Sequence, residues 1–282
     1  MSLPEMLQRL PERWNGGDLG GTRINMMREG VVTLVGVKKL ESEALFISSE
    51  GGGTLRETAK VEFAGKERYW WISRKVNGVI RRVLLTELRV DANTCTVDNP
   101  CITCDVCLLM GGMRERGAQR TLFSRLKLQD LISVQPYEYD EKFRVRLPDV
   151  RLPDDPTAAD PTPFQEVIVP PGTEFPFVVR IIKPSQRDLG LFLLGNRVAD
   201  GLGYGNYTSR RGNATTRWLM LANGFAHVSV HDLLERAETT PIEMQVSALA
   251  QDLTRIGIAQ GQVVDGDALT PAIDELVMSV PG

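Results

Sequence analysis

The 282-residue sequence has only two histidines and four cysteines, and almost no excess of charge of either sign. Long apolar runs are missing as well, and each scarcity excludes something. The N-terminus, MSLPEMLQRLPERW, interleaves charges and prolines with apolar residues. It holds no apolar block of the roughly 7–15 residues that a secretory leader needs. The uncharged stretch from Trp218 to His231 is interrupted by Asn223, Gly224 and Ser229, and is too short to cross a hydrocarbon core of about 30 Å. A cytoplasmic chain without a membrane span is expected. His227 and His231 stand at i, i+4 but lack the Glu of an HExxH motif, which argues against a metal hydrolase. The glycine run Gly51-Gly52-Gly53 lacks the GK[ST] of a phosphate-binding P-loop and reads as a turn or hinge. Collagen, coiled coil and wholesale disorder are excluded by composition, and the length suits one large or two modest domains.

With 33 Lys+Arg against 36 Asp+Glu, the overall charge of −3 argues by itself against a nucleic-acid partner. The distribution alters that reading. Trp218–Gly282 carries nine acidic residues and two basic ones, a net −7, so Met1–Arg217 carries +4 of the total −3. Within the basic part, Lys66–Arg89 holds seven cations and two acids, Met113–Lys127 five and one, and Arg180–Arg217 seven and two. A charge acts over about one Debye length, roughly 8–10 Å, so such clusters can form a positive face on an acidic protein. Solvated surface is the plainer explanation of the same runs.

Strand signals dominate the first two thirds: Gly30-VVTLVGVKKL, Arg68-YWWISRKV, Val79-IRRVLLTELRV, Phe143-RVRL, Glu166-VIVP and Phe175-PFVVRIIK. Helices are expected at Pro4–Arg13, Thr121–Leu131, Ser185–Arg197 and Pro241–Arg255. Strands mixed with isolated helices indicate an α+β fold rather than a repeated βα pattern. Pro148–Pro171 contains seven prolines between two strand-like segments and reads as a long hairpin-like excursion whose tip stays out of any central sheet. Such a loop is either a functional arm or a disordered insertion.

All four cysteines, Cys95, Cys101, Cys104 and Cys107, fall in a C-x5-C-x2-C-x2-C pattern. C-x2-C spacing lets two thiolates turn inward around one ion, which points to a closed, structural Zn2+ site with four soft ligands. The alternatives are an iron–sulfur cluster, since C-x2-C-x2-C also occurs in ferredoxin-like runs, and free thiols. Disulfides do not suit a cytosolic chain with such close spacing. A second informative segment, Gly195-NRVADGLGYGNYTSRRGNATTR, combines five glycines, two tyrosines and four arginines. Glycines let backbone N–H groups approach phosphate, Arg binds phosphate bidentately, and Tyr stacks on bases. A glycine-rich turn in a hairpin gives the same composition. G-L-G-Y-G does not fit the dinucleotide fingerprint.

The order of these features resembles the guide-RNA-coating backbone subunits of class 1 CRISPR effector complexes (Cascade), the RAMP superfamily, and within it most closely the type I-D version. The residues that carry the resemblance are Arg56-ETAKVEF, Arg82-VLLTEL leading into Cys101-ITCDVCLLMGG, Phe123-SRLKLQDLISVQPYE, Val169-PPGTEFPFVV and Leu194-GNRVADGLGYGNYTSRRG. The match spans most of the chain. It departs from the family in its short N-terminal region and at GLGYG, where an Arg ahead of the Tyr-Gly pair is expected.

The resemblance implies an RRM-like (ferredoxin-like) palm formed by residues 1–90 and 171–282, a cysteine-rich zinc lobe at 91–118 and a Pro-rich thumb-like insertion at 136–170. It also implies copies stacked in a helical filament on crRNA, beside other Cascade subunits, presenting the guide to a target strand in antiviral defence. A subunit that holds any guide sequence contacts phosphates and sugars and leaves base edges free. The candidate RNA contacts are Arg56, Lys60, Arg120, Arg125, Asn196, Arg197, Tyr204, Arg210 and Arg211. No catalytic role is expected. The alternative is a metal-dependent nuclease acting through Asp18 in NGGDLGG, where a turn aspartate between glycines is the plainer account.

Overall fold

The computed structural model describes residues 3–14, 30–47, 55–89, 95–114, 120–146, 162–205, 211–255, 263–266 and 268–279. Its centre is β1 (Val31–Leu40), a run of β-branched residues buried along almost its whole length. Such near-continuous burial is expected of a strand covered on both faces. On one side β1 pairs antiparallel with β11 (Glu174–Ile182), which in turn pairs with β7 (Leu126–Leu128). On the other it pairs antiparallel with β12 (Ala214–Asn223), which carries the edge strand β13 (Val263–Asp265). The sheet order is therefore β13-β12-β1-β11-β7. At the β1–β12 register shift, a Cβ on Gly36 would lie 2.8 Å from the Arg217 carbonyl and 2.9 Å from the Phe177 ring, so the irregularity requires glycine.

Helices α2 (Ser73–Arg82, continued by a π-helical turn at Val83–Glu87) and α4 (Gln186–Leu202) cover one face of this sheet. Leu34, Phe177, Ile80, Leu84, Leu189 and Phe192 belong to the core on that side. The other face is closed by α5 (Val230–Glu235) and α6 (Ile242–Arg255), whose Val230, Leu234, Val246 and Leu253 cluster with Val35, Val37, Val178 and Met220. Both faces of the sheet are thus packed with protein. The remaining helices are α1 (Leu3–Leu7), α3 (Asp105–Met110) and α7 (Leu269–Ser279).

Three smaller sheets surround the centre. β3 (Lys60–Phe63), β4 (Lys66–Trp71) and β8 (Leu131–Pro136) form one, and β5 (Gly112–Arg114) and β6 (Arg120–Leu122) a hairpin. In the third, β2 (Leu55–Glu57) runs parallel to β10 (Thr162–Val167), which pairs antiparallel with β9 (Glu141–Arg146). The strands flanking the Pro-rich segment are thereby joined, with Arg146 opposite Thr162; residues 147–161 lie outside the described residues.

The mixed α+β class agrees with the sequence reading, and so do β1, β9, β11, α4 and α6. Four assignments are corrected. Arg68–Val76 read as one strand, but β4 ends at Trp71 and Ser73–Val76 opens α2. Val79–Val90 read as a strand, but through Glu87 it forms the end of α2 and the π-helical turn. Val76, Ile80 and Leu84 recur at i, i+4 and pack against α4, which overrides the β propensity of Val and Ile. The close approach depends on Gly195, where a Cβ would stand 2.9 Å from Ile80 and 3.0 Å from Leu84. The expected helix at Thr121–Leu131 is instead β6, β7 and the start of β8, because Leu126 and Leu128 pair with β11. The N-terminal helix stops at Leu7, before Pro11.

Candidate metal centre and nucleic-acid interface

The cysteine centre is built on the N-terminus of α3. Cys104 caps that helix, its Sγ accepting the Cys107 amide at 3.4 Å. Cys101 Sγ accepts the amides of Thr103 at 3.4 Å and Cys104 at 3.2 Å, so the C-x2-C turns aim their sulfurs at a common point. All four ligand atoms lie within 4.8 Å of one another, with Cys95 Sγ 3.4 Å from Cys107 Sγ. Four sulfurs each about 2.3 Å from one tetrahedral ion stand about 3.8 Å apart, so these residues fit a single ion. Cys95, Cys104 and Cys107 are buried and Cys101 is partly exposed.

Arg81 of α2 donates from Nη2 to Cys107 Sγ at 3.2 Å and from Nη1 to the Gly111 carbonyl at 2.5 Å. The Cys107 thiol is pulled down to about 5, first by the hydrogen bond from the Cys104 thiol and further by Cys95 and the Arg81 charge. Burial pushes Cys95 up to about 11. The lobe is fastened to the rest of the molecule through Asp105, whose carboxylate holds Arg13 at 2.8 Å and Arg187 at 3.1 Å.

The glycine-rich segment closes on itself at its root. Tyr204 N donates to the Gly212 carbonyl at 2.9 Å, and Gly212 N to the Glu43 carbonyl at 2.9 Å. Gly212 has a φ of 86°, and a Cβ there would fall 1.9 Å from the Tyr204 carbonyl oxygen. This glycine therefore serves loop closure rather than approach to a ligand. Tyr204 is fully buried and donates to Asp200 Oδ1 at 2.8 Å. The same carboxylate takes Lys38 Nζ at 2.5 Å and the Thr216 hydroxyl, while Asn196 donates to Thr216 at 3.1 Å and Asp200 at 3.3 Å. Burial lowers the Lys38 pKa, with the Asp200 charge opposing it.

Four of the expected RNA contacts are thus directed inward. Asn196 and Tyr204 belong to the Asp200 network. Arg125 makes a two-pronged ion pair with Asp188, at 2.8 and 2.5 Å, and also donates to the carbonyls of Leu108 and Lys183. Arg211 is paired with Glu166 at 2.8 Å and Glu43 at 3.5 Å. These four side chains are buried and spend their polar groups on partners within the protein.

Others face solvent. Lys60 is exposed, flanked by Glu57 and Glu67 at 3.2 Å each and lying over the Tyr137 ring. Arg197 is exposed on α4, 3.6 Å from Asp274 of α7. Arg56 is partly exposed on β2, in register with Glu166. Arg120 lies in β6; Arg210 and Asp18 fall outside the described residues.

The flanks of three segments singled out from the sequence meet here. β2 follows the Gly51-Gly52-Gly53 run in sequence, β9 and β10 flank the Pro-rich segment, and Arg211 joins the end of the glycine-rich segment to Glu166 of β10. Lys142 of β9 completes the link through Glu43 at 2.7 Å.

The sequence reading missed the outer face of α2. Arg74 and Arg82 are exposed, and their side chains have no hydrogen-bond or ion-pair partner among the described residues. Separated by two i+4 steps with Gly78 between them, they form one line about 12 Å long. The space beside Gly78 is open. Arg89 is likewise exposed just beyond the π-helical turn. Read with helical instead of strand periodicity, the cation cluster Lys66–Arg89 would have revealed this line.

No helix among the described residues is long and apolar enough to cross a membrane. No protein-family model and no curated protein matches the chain. Among solved structures, Csc2 of Thermofilum pendens aligns with a TM-score of 0.60 and 16% identity over 96% of this chain and 85% of its own. A chain of a CRISPR RNA-guided surveillance complex aligns with a TM-score of 0.53 and 13% identity over 87% of this chain and 99% of its own. A chain of such a complex in a pre-nicking state gives 0.53 and 10% over 88% and 99%. Thus the fold built around β1, α2 and α4, rather than any close sequence kinship, is what this chain shares with Csc2 and with chains of CRISPR RNA-guided surveillance complexes.

Proposed function

We propose that the chain is a crRNA-binding backbone subunit of a Cascade-type CRISPR complex, most like the type I-D version, acting in antiviral defence in the cytoplasm. The observation that carries this is the shared fold, which extends over 96% of the chain for Csc2 and 87% for a surveillance-complex chain. The motif order of the sequence leads independently to the same family. The succession β1, α2, β7, β11, α4, β12, with strand order β12-β1-β11-β7, supports an RRM-like palm of βαββαβ type. In this reading the cysteine lobe is the finger and the β9–β10 excursion the thumb. Copies stack along the guide, beside other Cascade subunits, and leave the bases free for a target strand.

With both sheet faces covered, RNA is held through phosphates on loops and helices rather than by bases stacked on the sheet. Arg74 and Arg82, with Lys60, Arg56 and Arg197, are the residues we assign to it. The metal is Zn2+, which four buried or half-buried sulfurs around one point suit in a closed, structural site. When bound it supplies folding energy to the lobe.

We read the protein as non-catalytic. Co-expression with a guide transcript tests the proposal: the purified chain should carry RNA, bind it in a salt-sensitive way and form higher oligomers on it. A monomer free of RNA that shows no salt-sensitive RNA binding would overturn the reading. Cleavage of a guide-paired target strand that Asp18→Ala abolishes without loss of binding would replace the non-catalytic role with a nuclease.

A further inference from the structure

The cysteine centre and the exposed face of α2 meet at Arg81. This residue lies in the last turn of α2, next to Arg82, and carries the hydrogen bonds from that helix to Cys107 Sγ and the Gly111 carbonyl. The lobe closes around it: a Cβ on Gly112 would stand 3.6 Å from Arg81 Nη2 and 3.1 Å from Pro100. The adjoining flank of α2, at Ile80 and Leu84, is fixed by its close packing on Gly195 of α4. The helix is therefore held by a rigid apolar contact and by a polar joint that ends on a metal ligand.

Four thiolates on one divalent ion leave a net charge of about −2, which a guanidinium beside one sulfur offsets. Partners of this kind alter metal affinity by about 10–100-fold. The planar fork of Arg81 also reaches two acceptors at once, which the compact ammonium of lysine does not reproduce.

We propose that Arg81 is a positioning residue that couples the metal centre to the cationic face of α2, so that metal loading fixes the last turn of the helix and tightens its hold on an anionic polymer. The RNA half of this inference rests on the proposed function; the coupling itself does not.

The test uses the full chain as wild type, Arg81→Lys and Arg81→Gln, each loaded with zinc. Zinc release to a colorimetric chelator should speed up about tenfold in both variants. Hydrogen exchange of the α2 amides should rise in the wild type when zinc is removed. In Arg81→Lys it should already be raised with zinc present and change little on removal. Affinity for fluorescein-labelled polyuridine should fall about fivefold on zinc removal in the wild type and stay at the lower value in Arg81→Lys with or without zinc.

Wild-type zinc release and α2 exchange in Arg81→Lys would overturn the coupling. So would an equal loss of polyuridine affinity on zinc removal in the wild type and in Arg81→Lys, since charge alone would then explain the role of Arg81. If the release and exchange readouts respond as stated while the wild type binds no polyuridine in either state, the coupling is supported and the RNA reading is overturned.

Discussion

Arg125 and Arg211 on the one hand, and Arg74 and Arg82 of α2 on the other, are alike in composition but meet opposite fates in the fold. Arg125 and Arg211 are buried, each tied to a carboxylate that is itself buried. Arg74 and Arg82 are exposed, and their side chains have no partner among the described residues. A buried cation beside a carboxylate is held in place by the cost of leaving either charge alone in a low-dielectric interior. An exposed, unpaired cation contributes little to stability and keeps its hydrogen-bonding capacity for a phosphate. Clustered positive charge therefore marks a binding surface only after the residues buried in ion pairs are removed from the count.

The sharpest way to break this comparison is Arg125→Met, which leaves Asp188 uncompensated in the interior. It should cost about 3–5 kcal/mol of stability in urea unfolding of the metal-loaded protein. A loss below about 1 kcal/mol would show that the pair matters less than its burial implies. The double variant Arg74→Gln/Arg82→Gln should behave in the opposite way. Its unfolding midpoint should stay within about 0.5 kcal/mol of the wild type. Its RNA affinity should fall about tenfold, with the slope of log affinity against log salt shallower by about 1.4 for two lost phosphate contacts. Tyr204→Phe removes two buried hydrogen bonds, the one donated to Asp200 and the one accepted from Lys38, while Asp200 keeps Lys38 and Thr216; it should destabilise by about 1–2 kcal/mol in the same assay. The smallest effect is expected at Lys60, whose two ion pairs are exposed: Lys60→Gln should change stability by less than about 0.5 kcal/mol.

How much was legible beforehand depended on whether the determining contacts were local. The cysteine centre was legible because its ligands lie within thirteen residues and the C-x2-C turns orient their own sulfurs. α4 was legible because Ser185 and Asp188 form a capping box within one turn. The start of α2 was not: its first amide, Ser73 N, is held at 2.8 Å by Asp130, a residue far along the chain. That misreading turned a line of arginines into an alternating strand and concealed the surface they share. The inward turn of Tyr204 and Arg211 was hidden for the same reason, since Lys38 and Glu166 reach them only once β1 and β10 are in place. Gly212 read as room for a ligand because composition does not reveal which backbone atom a glycine faces.

In the proposed function, exposed α2 cations, not the buried arginines, hold an RNA backbone irrespective of its sequence. Salt-titrated binding of two unrelated single-stranded RNAs to the wild type and to Arg74→Gln/Arg82→Gln tests it directly. The wild type should bind both RNAs with equal affinity, and the variant should lose affinity equally for both, with a shallower salt slope. No binding, a strong preference for one sequence, or wild-type affinity in the variant would contradict it.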